Sequence, residues 1–161
     1  MEEDKVSLFN IVRPLDHNVL CAVSDKQEEV TLYRYSKFGV GSTIDAGYAA
    51  NVSEKVFDKQ SIQTKTLNQI IEESPYKGKQ IDVLSIDVEG MDFKVLNSLD
   101  IETYRPKIII IEDHHRAIDE IIENNIFQLL KNKGYVLRSW TFYSLIFVFP
   151  KSEILKDREN L

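Results

Sequence analysis

Cysteine is almost absent: the chain of 161 residues holds one, Cys21. A lone thiol builds neither a disulfide framework nor a cysteine-based zinc site. In its apolar surroundings Cys21 reads as a small buried hydrophobe. Long hydrophobic runs are also lacking. The longest, such as Lys107 to Ile111, are of strand length, well short of the roughly 18 apolar residues of a membrane span. There is no basic excess either. Lys and Arg number 20 against 26 Asp and Glu, a net charge of -6, and the cations are scattered, which argues against nonspecific nucleic-acid binding. The first residues, Met-Glu-Glu-Asp-Lys, lead into no apolar segment, so the signal-peptide pattern is missing. Asn51-Val52-Ser53 is therefore not read as a glycosylation site. A reducing, cytoplasmic compartment is expected, with no membrane and no nucleic-acid partner.

What is present suffices for a core. Hydrophobic residues make up 43% and charged residues 29%, an ordinary globular balance. The length allows one domain, expected over 1–161, ordered between about 8 and 150, with a charged tail that frays from Lys151.

The spacing of Val6, Phe9, Ile11 and Val12 fits one amphipathic helix that Pro14 ends. Asn18 to Ser24 reads as a strand buried on both faces. Glu29 to Tyr35 alternates and reads as a second strand, antiparallel to the first because the connection is short. Residues 36–58 form an exposed loop with a helical piece around Ala49 to Lys55. Ser61 to Lys65 is a short strand, and Thr66 caps the helix after it. Ile81 to Ile86 and Lys107 to Ile111 are apolar strands separated by a helix bearing Phe93, Val95, Leu96 and Leu99. One helix is expected from about Ile118 to Lys133, with Gly134 at its end. Tyr135 to Trp140 and Tyr143 to Pro150 form a terminal strand pair. Its aromatics Trp140, Phe142, Tyr143, Phe147 and Phe149 read as core packing.

Strand–helix–strand–helix with short connections is the parallel α/β pattern. Ligands bind such sheets beyond the carboxyl ends of the strands. Two polar clusters fall there: Asp87 and Glu89 after one strand, and Glu112, Asp113, His114 and His115 after the next. Carboxylates at a strand-to-helix turn can accept hydrogen bonds, act as a general base or hold a divalent metal, or only cap the helix. Gly90 lets the backbone turn sharply. A histidine after a buried strand can take a proton from a hydroxyl near neutral pH, or be a plain loop residue. Gly39-Val40-Gly41-Ser42 lacks the lysine and third glycine of a phosphate loop or a dinucleotide fingerprint.

The run Ile81-Asp82-Val83-Leu84-Ser85-Ile86-Asp87-Val88-Glu89-Gly90, then Phe93-Lys94-Val95-Leu96, then Tyr104-Arg105-Pro106-Lys107 to Glu112, resembles the FkbM-type S-adenosylmethionine-dependent methyltransferases. Arg13 to Asn18 with Ala22 to Asp25, Thr64 to Leu67, Lys133-Gly134-Tyr135 and Leu145 to Val148 resemble the same family. The resemblance implies a Rossmann-like α/β methyltransferase sheet, mostly parallel with an antiparallel C-terminal strand pair, in the order 3-2-1-4-5-7-6. It makes Asn18–Ser24 the third strand, and it places the first two, with their glycine-rich turn and ribose-binding acid, before residue 5. The fourth strand is then expected to have an open edge, suited to self-association or to a complementing chain. The implied activity is methyl transfer from S-adenosylmethionine to a hydroxyl of a saccharide or other small acceptor. Ser24 and Asp25 are implied near the adenine and Asp87 near the methyl donor. Asp87, Glu89 and His114 are the candidate catalytic residues. Two rival expectations are a non-catalytic or split half that needs a partner chain, and a metal-dependent hydrolase using Asp87, Glu89, Asp113 and His114.

Overall fold

The computed structural model describes residues 3–35, 42–53 and 55–150, with side chains from Val6 onward. The expected tail from Lys151 and the Gly39-Val40-Gly41 stretch lie outside the described residues. The chain divides into two compact units. One joins the described residues up to Lys77 with Val88–Leu99; the other joins Gly78–Asp87 with those from Asp100 onward.

In the first unit, helix α1 (Glu3–Val12) stops ahead of Pro14, whose ring disfavours a helical conformation in the residue before it. Leu8, Phe9, Ile11 and Val12 are exposed. Strand β1 is only Ala22–Val23, not the expected 18–24, and Val19 and Leu20 are exposed rather than buried on both faces. Strand β2 (Glu29–Arg34), helix α2 (Ala46–Asn51) and strand β3 (Asp58–Lys65) follow. The sheet order is β1-β3-β2, so the expected antiparallel pairing of the first two strands does not form. β3 lies between them, parallel to β1 and antiparallel to β2. Buried Thr64 explains this. Its hydroxyl donates to the Lys26 carbonyl at 2.7 Å and accepts from the Glu28 amide at 3.0 Å, stitching the 25–28 turn onto β3 and parting β1 from β2. Helix α3 (Leu67–Glu73) starts at Thr66, which forms a reciprocal capping box with Gln69. Helix α4 (Asp92–Asn97) buries Val95 and Leu96.

The second unit holds strand β4 (Val83–Ile86), helix α5 (Ile101–Tyr104), strand β5 (Ile108–Glu112), helices α6 (Ile118–Glu123) and α7 (Asn125–Asn132), and strands β6 (Val136–Thr141) and β7 (Ser144–Val148). Its sheet runs β4-β5-β7-β6. β4 and β5 are parallel, and β7 is antiparallel to both β5 and β6. Ile109, Ile111, Leu145 and Phe147 have no exposed surface, and Ile121 and Leu130 from α6 and α7 join them. The apolar alternation along β5 and β7 thus builds one face of a core.

Two further expectations are corrected here. The single helix over 118–133 is two, broken at Asn124, whose ψ of 159° is extended and whose side chain accepts from the Phe127 amide at 2.7 Å to start α7. The terminal aromatics are not all core: Phe147 is buried, but Phe142 and Tyr143 are exposed. The fold is mixed α/β with two small sheets rather than the single mostly parallel sheet expected. Both edges of β3 are taken within its own sheet, and β4 pairs with β5 alone among the described strands. No helix among the described residues is long and apolar enough to cross a membrane.

Candidate functional site

In the second unit, β4 and β5 run side by side with Ile86 opposite Ile111. Continuing that register by one residue sets Asp87 beside Glu112 at the carboxyl ends of a parallel pair. Asp87 is exposed and Glu112 half-buried. The polar segment after β5 joins them. His114 Nε2 lies 3.4 Å from Glu112 Oε1, and its ring packs edge-on against Tyr143 with centroids 5.6 Å apart. Asp113 is buried. Its Oδ1 takes the His115 backbone amide and His115 Nδ1, each at 2.9 Å, and its Oδ2 takes Asn124 Nδ2 at 2.6 Å. The Asp113 amide donates to the Tyr143 carbonyl at 2.8 Å, tying the strand end to the β6–β7 hairpin.

That hairpin is tight. The Tyr143 amide bonds the Thr141 carbonyl at 2.7 Å, closing a three-residue turn around Phe142, whose φ is +60°. A bulky residue in that region is strained. The Arg116 guanidinium covers both rings, 4.7 Å from Phe142 and 4.1 Å from Tyr143. A carboxylate pair, two imidazoles and an aromatic–arginine stack therefore share one end of this sheet.

Glu89 belongs to the first unit and has other neighbours. Tyr48 Oη donates to Glu89 Oε2 at 2.6 Å, and Thr43 Oγ1 donates to the Glu89 carbonyl at 2.8 Å. Glu89 and Gly90 have φ of +51° and +93°. A Cβ at Gly90 would meet Tyr48 Cδ2 at 3.1 Å, so close approach as well as backbone angle calls for glycine there. Neither Asp87 nor Glu89 caps α4. Asp92 instead braces the turn ahead of the helix, accepting from the Val88 amide at 3.2 Å and the Gly90 amide at 3.3 Å. Sequence reasoning missed Asp92, Tyr48 and Thr43. It also missed the Asp113–His115–Asn124 linkage, for which the one available signal was an Asn-Asn pair interrupting an apolar helical pattern.

Ser24 and Asp25 follow β1 in the first unit. Ser24 is buried, its amide donates to the Lys65 carbonyl at 2.9 Å, and its hydroxyl donates to Asp25 Oδ1 at 3.1 Å. Asp25 is exposed. Among the described residues, no group of three or more His, Cys, Asp or Glu is placed to hold a metal ion, so the geometry lends the hydrolase expectation nothing. Cys21 is half-buried rather than fully buried, and burial pushes its thiol pKa up, the opposite of an activated thiolate.

The model of the methyltransferase FkbM domain matches residues 2–137. The chain belongs to the FkbM methyltransferase family. The match takes in β4, β5 and the polar segments after them, so the acidic strand ends lie within the FkbM domain. No curated protein and no solved structure matches the chain.

Proposed function

We propose that this FkbM protein transfers a methyl group from S-adenosylmethionine to a hydroxyl of a small acceptor, a saccharide or similar compound. The observation that carries the reading is the family match over residues 2–137. The donor set fits such a cofactor in charge. Its sulfonium is a cation, and the carboxyl ends of β4 and β5 carry the carboxylates of Asp87 and Glu112. The residue of the second unit that would hold it is Asp87, on the methyl-donor side. When bound, the cofactor supplies an electrophilic methyl group on sulfur.

The chain's own residues supply placement and charge. Asp87 offers acceptors to a hydroxyl or to a cation at the open strand end. Glu89, fixed by Tyr48, holds the backbone of the following turn in its positive-φ path. Rigid placement of the two reactants contributes most to the rate at a site of this kind, lowering the barrier by up to about 7–11 kcal/mol. The exposed rings of Phe142 and Tyr143 offer apolar faces of the kind a sugar ring can stack on. Calorimetric titration of the chain with S-adenosylmethionine tests the reading. Saturable binding is expected, and no heat at millimolar cofactor removes it.

A second reading, a module completed by another chain, draws on one observation: β4 is an edge strand with Val83 exposed. Size-exclusion chromatography with light scattering separates the two, since a well-folded monomer that binds cofactor leaves no need for a partner.

A further inference from the structure

We infer that His115 is the imidazole that takes the acceptor's proton, positioned by Asp113 and Asn124. The inference rests on the methyl-transfer reading and names the base within it.

The side chain of Asp113 is 3% exposed. A carboxylate so deeply buried is costly unless its oxygens are satisfied. Here they are, by three donors: the His115 amide, His115 Nδ1 and Asn124 Nδ2. An ionised carboxylate has only acceptors to offer, so this pairing calls for a proton on His115 Nδ1. In the neutral ring the lone pair is then on Nε2. That atom has no hydrogen-bond partner among the described residues, and the side chain is 46% exposed. His115 thus has one nitrogen anchored in the protein and the other open.

His114, its neighbour in sequence, is turned the other way. Its Nε2 faces Glu112 at 3.4 Å, and its ring lies against Tyr143. That contact is long, whereas His115 is held at 2.9 Å by a buried carboxylate that Asn124 holds in turn. Of the two histidines, His115 is the one positioned as a base.

The surrounding elements fix this arrangement. Asp113 directly follows β5 and is tied through its amide to the hairpin at Tyr143. Asn124 reaches Asp113 because the helical run is broken there; the same side chain that starts α7 with its oxygen gives its amide to Asp113. The second carboxylate oxygen is held, so Asp113 cannot swing away from His115.

In the step, the acceptor O–H bond breaks and its proton passes to His115 Nε2. The oxygen lone pair forms the new bond to the methyl carbon. The carbon–sulfur bond breaks, and its electron pair stays on sulfur, cancelling the sulfonium charge. The imidazolium left on His115 is balanced by Asp113 through Nδ1. The proton then leaves to solvent from the exposed Nε2.

Two measurements on the full chain test this. Long-range proton–nitrogen correlation spectra of the 15N-labelled protein report the histidine tautomers. His115 is expected as the Nδ1–H form in the wild type, and to lose that signature in Asp113→Asn. An Nε2–H form at His115 in the wild type overturns the inference, whatever the activity. The second measurement follows labelled methyl from S-adenosylmethionine into a panel of methyl glycosides. His115→Gln, at an exposed side chain, is expected to fold and bind S-adenosylmethionine like the wild type while kcat falls about 10²–10⁴-fold. An active wild type with an equally active His115→Gln overturns the inference and leaves the methyl-transfer reading standing. A wild type that methylates none of the panel overturns both.

Discussion

Tyr135 shows how a single burial choice sets a pH window. Its ring is buried, its hydroxyl donates to the Pro106 carbonyl at 2.7 Å, and desolvation pushes its pKa up to about 12. The unfolded phenol ionises near 10. The folded state therefore holds the proton more tightly. The stability this contributes is complete below about pH 10 and is lost as pH rises through about 12. One phenol is expected to ionise late in an alkaline absorbance titration and to disappear from it in Tyr135→Phe; an unchanged curve contradicts the assignment. Gly90 is the second informative residue. With φ at +93° and Tyr48 at 3.1 Å from any added Cβ, Gly90→Ala forces a side chain into a strained backbone. It should lower stability by about 1–3 kcal/mol in a denaturant melt, whereas Gly78→Ala, with open space around it, meets only the backbone cost.

At the level of elements, local signals were legible, and so were the parallel pair β4–β5 and the terminal pair β6–β7; the pairing of β1 with β2 was not. Thr66 with Gln69 three residues on announces the start of α3, and the capping box is there. The apolar runs of β4 and β5 made both strands evident, although only β5 is well covered, while Val83 and Ser85 of β4 are exposed. Asn124 misled, because its apolar neighbours keep helical spacing on both sides while its own side chain serves Asp113 and the α7 amide. Asn124→Ala is expected to cost about 1 kcal/mol for the lost cap, and about 1–3 kcal/mol more for the buried carboxylate left with one donor fewer. A denaturation midpoint equal to wild type would contradict that. Edge and centre of the second sheet should differ in the same assay. Ile109→Ala, with no exposed surface to begin with, should cost about 2–5 kcal/mol. Val83→Lys on the exposed edge should stay within about 0.5 kcal/mol.

On the scale of the whole molecule, the placing of β3 between β1 and β2 was invisible in the sequence because it goes with Thr64 bonding a turn 36 residues away. No periodicity encodes such a contact. The site was half legible. The strand-end rule located Asp87 and the Glu112–His115 segment, because carboxyl ends of parallel strands follow from connection length alone. It could not tell which histidine is anchored, since His114 and His115 differ only in where their rings turn. Nor could it show that Glu89 is tied to Tyr48, 41 residues away. In the proposed reaction the acidic strand ends of this FkbM chain receive a sulfonium methyl donor. Amide chemical shifts of the full chain, recorded while S-adenosylmethionine is added, test it most directly. Saturable shifts are expected, centred on Asp87 and on Glu112 through His115. Shifts confined to other residues, or none at saturating cofactor, would contradict it.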